Sequence, residues 1–583
     1  MNEKTESDIL LYMMEHAYTS QRQISEEIGC SLGVVNRCIK KMSEDRMLNA
    51  DGVLSIDAKK SVECRSPRQA IILAAGTGMR MVPINMEISK GMLEVKGEAL
   101  IERVIWQLHE SGIRNICIVV GFMKEQYEYL IDKYQVDLIV NQEYASKNNL
   151  LSLACAVDFL DNAYVIPSDI WCEHNPFHRY EAYSWYMVRE ETSTKSNVAL
   201  NRKGELIKTR EGEPGNEMIG IAYLEGAAAK TVREKLKEMI QDRRYDDCFW
   251  EESLYDGKKM LVWGKTNCKN TVVEINTYEQ LRQFDSNSNQ LDSDVIRLLA
   301  DIFHVQPKEI CDIQVLKKGM TNRSFQFSVK GKKYIMRIPG EGTDHMINRS
   351  QEYQVYQTIK GKNLCDNVYY MNPDNGYKVT EFIEDIRVCD AANQSDVKRC
   401  MNFLRDFHQC KLKVGHEFDL FGKIEFYENL WDGKPSVYRD YQETKDNVMS
   451  LQKYIDRQKK DWTLTHIDAI PDNFLISEGG IKLIDWEYAA MQDPHLDIAM
   501  FVIYSLYNRK QADELMDLYF TGECSMEIRK KIYCYIAAAG LLWSNWCEYK
   551  RHLGVEFGEY SLRQYRYAKD YYRLFKSLEK EEA

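Results

Sequence analysis

The sequence predicts a multidomain α/β protein of three successive parts: a short, mainly helical domain (1–64), a central doubly wound α/β domain (68–284) and a C-terminal α+β domain (295–583). Three observations carry this. At about 150 residues per domain, a chain of 583 residues is too long for one core. The pattern changes after Cys64-Arg-Ser-Pro-Arg68, where helical periodicity gives way to the apolar run Gln69 to Leu73 and then to alternating helices and strands. Finally, Phe284 to Asp294 is polar and holds Leu291 as its one aliphatic residue, which marks a linker.

Composition sets the outer bounds. Hydrophobic residues at 44% and charged residues at 28% describe an ordinary globular chain with material for several cores. A net charge of −12 argues against a protein whose main task is to coat nucleic acid or an anionic membrane. No run of 18 apolar residues occurs, and the start MNEKTESDILLYMMEH is too acidic for a signal peptide, so a cytoplasmic protein without a membrane partner is expected. The sixteen cysteines include no C-x-x-C pair, which suits a reducing compartment and thiols used as small hydrophobes.

In the N-terminal part, Ile9, Leu10, Met13 and Met14 give one amphipathic face, Ser20 to Gly29 a second helix stopped by glycine, and Leu32 to Met42 a third. Met47 to Ile56 reads as strand, Asp-Gly turn, strand. This order resembles a winged helix-turn-helix domain, with Asn36, Arg37, Lys40 and Lys41 on the recognition helix. Residues 1–66 nevertheless hold nine Lys/Arg against eleven Asp/Glu, and affinity for DNA rests largely on phosphate neutralisation. DNA and protein contact therefore both stand as uses of residues 1–64.

The central strand Gln69 to Leu73 runs into Ala74-Ala75-Gly76-Thr77-Gly78-Met-Arg80, with Lys90 ten residues on. Glycines let a backbone approach a triphosphate, whose charge suits backbone N–H groups and the cations Arg80 and Lys90. The run LAAGTGMRMVPINMEISKGMLEVKGEALIERV resembles the signature of nucleotidyltransferases that join a phosphorylated small molecule to an NTP, although Ser89-Lys90 stands where those enzymes usually have Pro-Lys. The following helix (100–112), strand (115–120), helix (124–134) and strand (137–141) give the doubly wound sheet, with ligands at the carboxyl ends of its strands. Under the resemblance, Asp169, after the strand 163–166, holds Mg²⁺, and Asn276, after the strand 271–275, is the second ligand. Residues 144–169 look most like bacterial CTP:phosphocholine cytidylyltransferases. Asn148, Asn149 and Ser152 are candidates either for ligand contact or for capping a helix. Trp185, Tyr186, Phe249 and Trp250, with Glu251 and Glu252, are candidates for a trimethylammonium site, against core packing as the ordinary role of each.

After the linker, strands at 313–315, 324–329 and 333–338 form a meander, and Lys317 to Ser324 makes a loop to cover phosphates, with Asn322 and Ser324 among its contacts. Arg337 ends a strand where kinases carry a cation on the α/β-phosphates, with Glu352 as its ion-pair partner. Lys378 to Ile383 reads as a hinge strand whose backbone, at Glu381 to Ile383, faces adenine. The stretch LTHIDAIPDNFLISEGGIKLIDWEY carries H-x-D-x-x-x-x-N and, after a hairpin, Asp485-Trp486-Glu487. Transfer of a phosphoryl group to a hydroxyl needs an acid to take the proton and Mg²⁺ ligands to neutralise phosphoryl charge. Asp468 fits the base; Asn473 and Asp485, at the two ends of the hairpin, fit the metal ligands.

These motifs resemble bacterial choline kinases of the choline/aminoglycoside phosphotransferase group, over roughly 310–572. Within that group W-x-x-W, here Trp543 and Trp546, points to choline, and Glu487 and Tyr488 join it as choline contacts. The two resemblances together imply a fused choline kinase and phosphocholine cytidylyltransferase using choline, ATP, phosphocholine and CTP, with Mg²⁺ as cofactor. The CDP-choline formed suits decoration of bacterial surface glycans or lipids. An ethanolamine or aminoalcohol pathway, and a DNA-binding regulator with enzyme-like sensor domains, are the alternatives.

Overall fold

The computed structural model describes residues 3–16, 20–49, 51–210, 212–267, 271–316, 322–340, 346–522, 524–552, 555 and 557–582. They gather into two compact units, Met1–Pro307 and Lys308–Ala583. The division falls beyond the polar run 284–294, after a capped helix, Asp294–Phe303, that packs with the first unit.

At the start of the first unit, helices Glu3–Glu15, Gln21–Ile28 and Leu32–Glu44 close around Ile9, Leu10, Ile24, Val35, Cys38 and Met42. The expected hairpin is reduced to a single bridge between Leu48 and Leu54. Ser55 caps a fourth helix, Ile56–Arg65, by accepting from the Ala58 N–H, and Ala58 and Val62 turn inward, so the second strand of the expected wing is cut short. This domain is docked on the α/β part of the same unit. The Lys4 ammonium donates to the Gly264 carbonyl (3.0 Å), the Tyr183 hydroxyl to Asp8 (2.7 Å) and the Arg65 guanidinium to the Ala182 carbonyl (3.1 Å).

The main sheet runs Asp137–Val140, Asn115–Val120, Gln69–Ala74, Ala163–Pro167, Gly215–Leu224, Trp185–Ser193, Lys259–Asn267, Glu205–Lys208, Val198–Leu200. Its first four strands are parallel. Alternation along Gln69–Ala74 puts Ala70, Ile72 and Ala74 under helix Leu100–Glu110 and Ile71 under helix Asn149–Cys155, so both faces are covered. Gly215–Leu224 joins antiparallel to Ala163–Pro167 and begins a mixed extension that periodicity did not reveal. A separate pairing of Ile170–Cys172 with Val272–Glu274 draws residues 169 and 276 together, with the Ile275 N–H donating to the Asp169 carbonyl (2.9 Å).

The second unit opens with an antiparallel sheet in the order Cys311–Val315, Asn322–Val329, Lys332–Pro339, Lys378–Glu381, Val368–Met371, and helix Arg349–Ile359. A helical part follows, holding the hairpin Phe474–Ser477 and Gly480–Leu483. Its spine is the long helix Met526–His552, packed along Glu559–Glu582. Gly540 sits where they meet: a β-carbon there would lie 2.8 Å from both the Gln564 carbonyl oxygen and the Tyr567 β-carbon. Among the described residues no helix is long and apolar enough to cross a membrane.

Candidate active sites

In the first unit the loop after Gln69–Ala74 leaves the sheet at its carboxyl edge. Ala75 accepts from the Phe122 N–H (3.2 Å), Asn85 reaches the Thr77 carbonyl (3.4 Å), and Gly78 takes φ +58°, a left-handed conformation that favours glycine. Gly76 faces open space, so the loop's exposed backbone is available to an anion. Opposite it, the Lys90 ammonium bridges the Asp169 carboxylate and the Asn276 carboxamide oxygen (2.7 Å to the latter). Arg80 donates to that same Asn276 oxygen (3.0 Å). The second Asp169 oxygen is buried without a hydrogen-bond partner. Glu274, absent from the sequence reading, borders this group: burial and then the charge of Asp169 raise its carboxyl. Its place two residues before Asn276, at the end of the strand Val272–Glu274, was the available signal.

The aromatic candidates divide. Trp185, Tyr186 and Trp250 are buried, while Phe249 is 63% exposed and turned to water. Trp185 packs on Tyr164 in the core, under the Lys265 ammonium at 4.2 Å from the ring centroid. The Tyr186 hydroxyl donates to Glu251 (2.8 Å), whose other oxygen is buried and unpartnered; burial pushes this carboxyl up to about 7. Asn148, Asn149 and Ser152 are committed to structure. Asn148 caps its helix, Asn149 accepts from the Trp250 N–H (2.8 Å), and the Ser152 hydroxyl accepts from the Asn141 amide (3.1 Å).

In the second unit a cavity of about 850 Å³ is lined by Asn322, Ser324, Arg337, Asp468, Asn473, Asp485, Glu487, Tyr488, Trp543 and Trp546. Of the expected phosphate-covering loop, residues 317–321 lie outside the described residues. Arg337 and Glu352 form a buried two-point ion pair (2.5 and 2.9 Å), and Arg337 also approaches Asp485 (3.7 Å). The short turn Pro471–Asn473 lets the Asn473 amide donate to the Asp468 carbonyl (2.9 Å) and carboxylate (3.1 Å), which directs its own oxygen elsewhere. Burial, then the charge of Asp485, pushes the Asp468 carboxyl up to about 7 against that hydrogen bond.

Two of the expected contact groups have other neighbours. Glu487 was grouped with the indoles, yet its carboxylate turns to the opposite sheet, accepting from the Asn322 amide (3.0 Å) and lying 3.7 Å from Arg349; burial and Asp485 raise it to about 8. Glu381 and Ile383 do not line the cavity. The strand ends at Glu381, whose N–H donates to the Asn367 carbonyl (2.9 Å), and Ile335, Lys378 and Thr380 line the cavity wall instead. Trp543 and Trp546 meet edge to face at 5.3 Å between centroids, Trp543 also against Tyr488 and Trp546 against Phe557. Tyr504, Phe557, Tyr560 and Asp472 also line the cavity and were missed; dense aromatic spacing around 504–572 was the only signal.

Both acidic sets carry oxygen donors of the kind magnesium takes. Among the described residues no three His, Cys, Asp or Glu side chains gather as a metal cluster. Each set instead offers hard oxygen from a carboxylate and an amide, with an unpartnered Asp169 oxygen in one and an Asn473 amide fixed by Asp468 in the other. This fits Mg²⁺, which takes one or two carboxylates and completes its shell with water and phosphate.

Comparison with known proteins agrees with this division. Residues 2–48 match a winged helix-turn-helix DNA-binding family, 70–184 a MobA-like NTP transferase domain, and 313–518 the choline/ethanolamine kinase family. A choline-phosphate cytidylyltransferase of Streptococcus pneumoniae is 30% identical over 224 residues, covering 37% of this chain and 96% of that protein. Protein LicA of Haemophilus influenzae is 26% identical over 259 residues, covering 42% of this chain and 76% of its own length. The crystal structure of choline kinase LicA from Streptococcus pneumoniae shares 28% identity over 48% of this chain and 99% of that one, with a TM-score of 0.43. The chain belongs, through its central domain, to the choline-phosphate cytidylyltransferase family, and it joins to that transferase a winged helix-turn-helix domain and a second transferase domain of the choline/ethanolamine kinase family.

Proposed function

We propose that the second unit phosphorylates choline with ATP and that the first condenses phosphocholine with CTP, giving CDP-choline and pyrophosphate. The observation that carries this reading is the two-ended cavity of the second unit. At one end lie Arg337, Asn473, Asp485 and the Asp468 carboxylate; at the other lie the rings of Tyr488, Trp543, Trp546, Phe557 and Tyr560. A trimethylammonium group spreads its charge over methyls and is poorly hydrated, so ring faces replace its water shell. The primary ammonium of ethanolamine would lose strong hydrogen bonds there.

Asp468 accepts the hydroxyl proton, and Arg337, held by Glu352, faces the phosphates. Asn473 and Asp485 would hold magnesium, which neutralises charge on the phosphoryl oxygens. In the first unit the backbone of Ala75 to Gly78, with Arg80 and Lys90, cradles the triphosphate. Asp169 and Asn276, the pair that Lys90 bridges, would hold magnesium, and Glu251 faces the phosphocholine ammonium. The product of one reaction is the substrate of the other, and the activated choline suits surface decoration. DNA contact by residues 1–64 is not part of this reading: Lys41 is paired to Glu6 (2.7 Å) and Lys40 lies 3.8 Å from Glu44, which leaves few cations for phosphates.

Incubation of the purified protein with choline, ATP, CTP and Mg²⁺, followed by phosphorus NMR, tests this. Phosphocholine and then CDP-choline should appear in sequence. CDP-choline that forms only from added phosphocholine would refute the kinase half.

A further inference from the structure

An aromatic cage solvates a cation without neutralising it, and the cavity of the second unit holds a carboxylate that the proposed reaction does not use. Asp472 lines the cavity, belongs to the short turn Pro471–Asn473, and is exposed at its mouth. Among the described residues it has no cationic partner; its carboxylate accepts from the Tyr504 hydroxyl (2.8 Å). Tyr504 in turn stands edge-on to Tyr560, 6.1 Å between centroids, so the carboxylate is tied to the rim of the cage. The other four acids of the lining have different neighbours: Asp485 and Glu487 face Arg337, Asp468 is tied to Asn473, and Asp366 lies near Tyr356 on the side of the sheet.

We propose that Asp472 is the counter-anion for the quaternary ammonium of the alcohol substrate, held on the cage rim by Tyr504 and so setting the preference for a cationic alcohol. The geometry accounts for the placing. Choline's nitrogen lies two carbons from its oxygen, and the turn that presents Asp472 begins three residues after the acid that takes the hydroxyl proton. Glu487 cannot fill this role, because its carboxylate is already shared by Asn322, Arg337 and Arg349.

This inference deepens the choline-kinase reading and rests on it. The test compares choline with 3,3-dimethylbutan-1-ol, its neutral carbon isostere. Asp472→Asn should raise KM for choline about fivefold, as for one partly exposed ion pair, and this difference should shrink in high salt. KM for the neutral alcohol and for ATP should stay level, Tyr504→Phe should give a smaller rise for choline, and Asp472→Glu should restore most of the affinity. An unchanged choline KM, or an equal rise for both alcohols, overturns the inference. A wild-type protein that phosphorylates neither compound strikes at the choline-kinase reading instead.

Discussion

Glu251→Gln tests the cytidylyltransferase site through both stability and binding. The Glu251 side chain is buried in the first unit with one oxygen on the Tyr186 hydroxyl and the other unpartnered, and burial raises its carboxyl from 4.5 to about 7. At about 1.36 kcal/mol per pH unit, that difference corresponds to about 3 kcal/mol. The sign follows from linkage: a group that holds its proton more tightly when folded favours folding most below its unfolded value of 4.5, and this contribution is lost as pH rises through about 7. Glutamine has the same shape and no titration. The thermal midpoint of the first unit in the wild type should therefore fall relative to the variant, by several degrees, between about pH 5 and pH 8. Binding should move the opposite way. The wild-type KM for phosphocholine should rise as pH falls below about 7, whereas the variant should show a high KM that pH hardly alters. Stability curves that stay parallel would refute the buried, unpaired carboxyl, and a variant KM equal to the wild type's at pH 8 would remove Glu251 from the ammonium site.

Other substitutions separate the two units. Asp468→Asn should reduce phosphocholine formation by about a hundredfold or more and leave conversion of added phosphocholine intact, with Lys90→Ala giving the mirror result; loss of both activities in one folded variant would refute independent sites. Trp543→Ala should raise KM for choline about threefold or more with little loss of midpoint, whereas Trp546, 3% exposed, should also lose about 3 kcal/mol of stability when truncated, read by calorimetry beside both KM values. No catalytic candidate lies in residues 1–64, yet removing them should lower the midpoint of the first unit, because Tyr183 loses Asp8 and the Gly264 carbonyl loses Lys4; an unchanged midpoint would show that the domain is merely tethered.

The fold class of this chain was legible in the sequence, and the grouping of its candidate site residues was legible unevenly. The Asp468, Asn473 and Asp485 spacing could be read directly because a short hairpin brings residues close in sequence close in space. Asp169 and Asn276 lie far apart in sequence and meet through one short antiparallel pairing, so a family resemblance was needed to connect them. The strands between 185 and 267 gave no clear signal, since most are covered on both faces or broken by register shifts, and alternation is lost. Side-chain direction was hidden as well: Glu487 adjoins Tyr488 in sequence, but a left-handed Asp485 turns the chain so that the acid faces one wall and the ring another. Tyr504, Phe557 and Tyr560 carry no motif, because a cage requires only ring faces at suitable distances and many sequences supply those.

Gly540 lies behind the two indoles of the proposed cage, where the helix Met526–His552 meets Glu559–Glu582. Trp543 and Trp546 follow it at intervals of three along one helix, so the indoles are carried on a rod whose distance from its neighbour is set by backbone touching backbone. A methyl group at 540 would act as a spacer, pushing the rod outward and moving both rings together. In the proposed cage, room for the head group would thus be set from behind, at a residue that never meets the ligand.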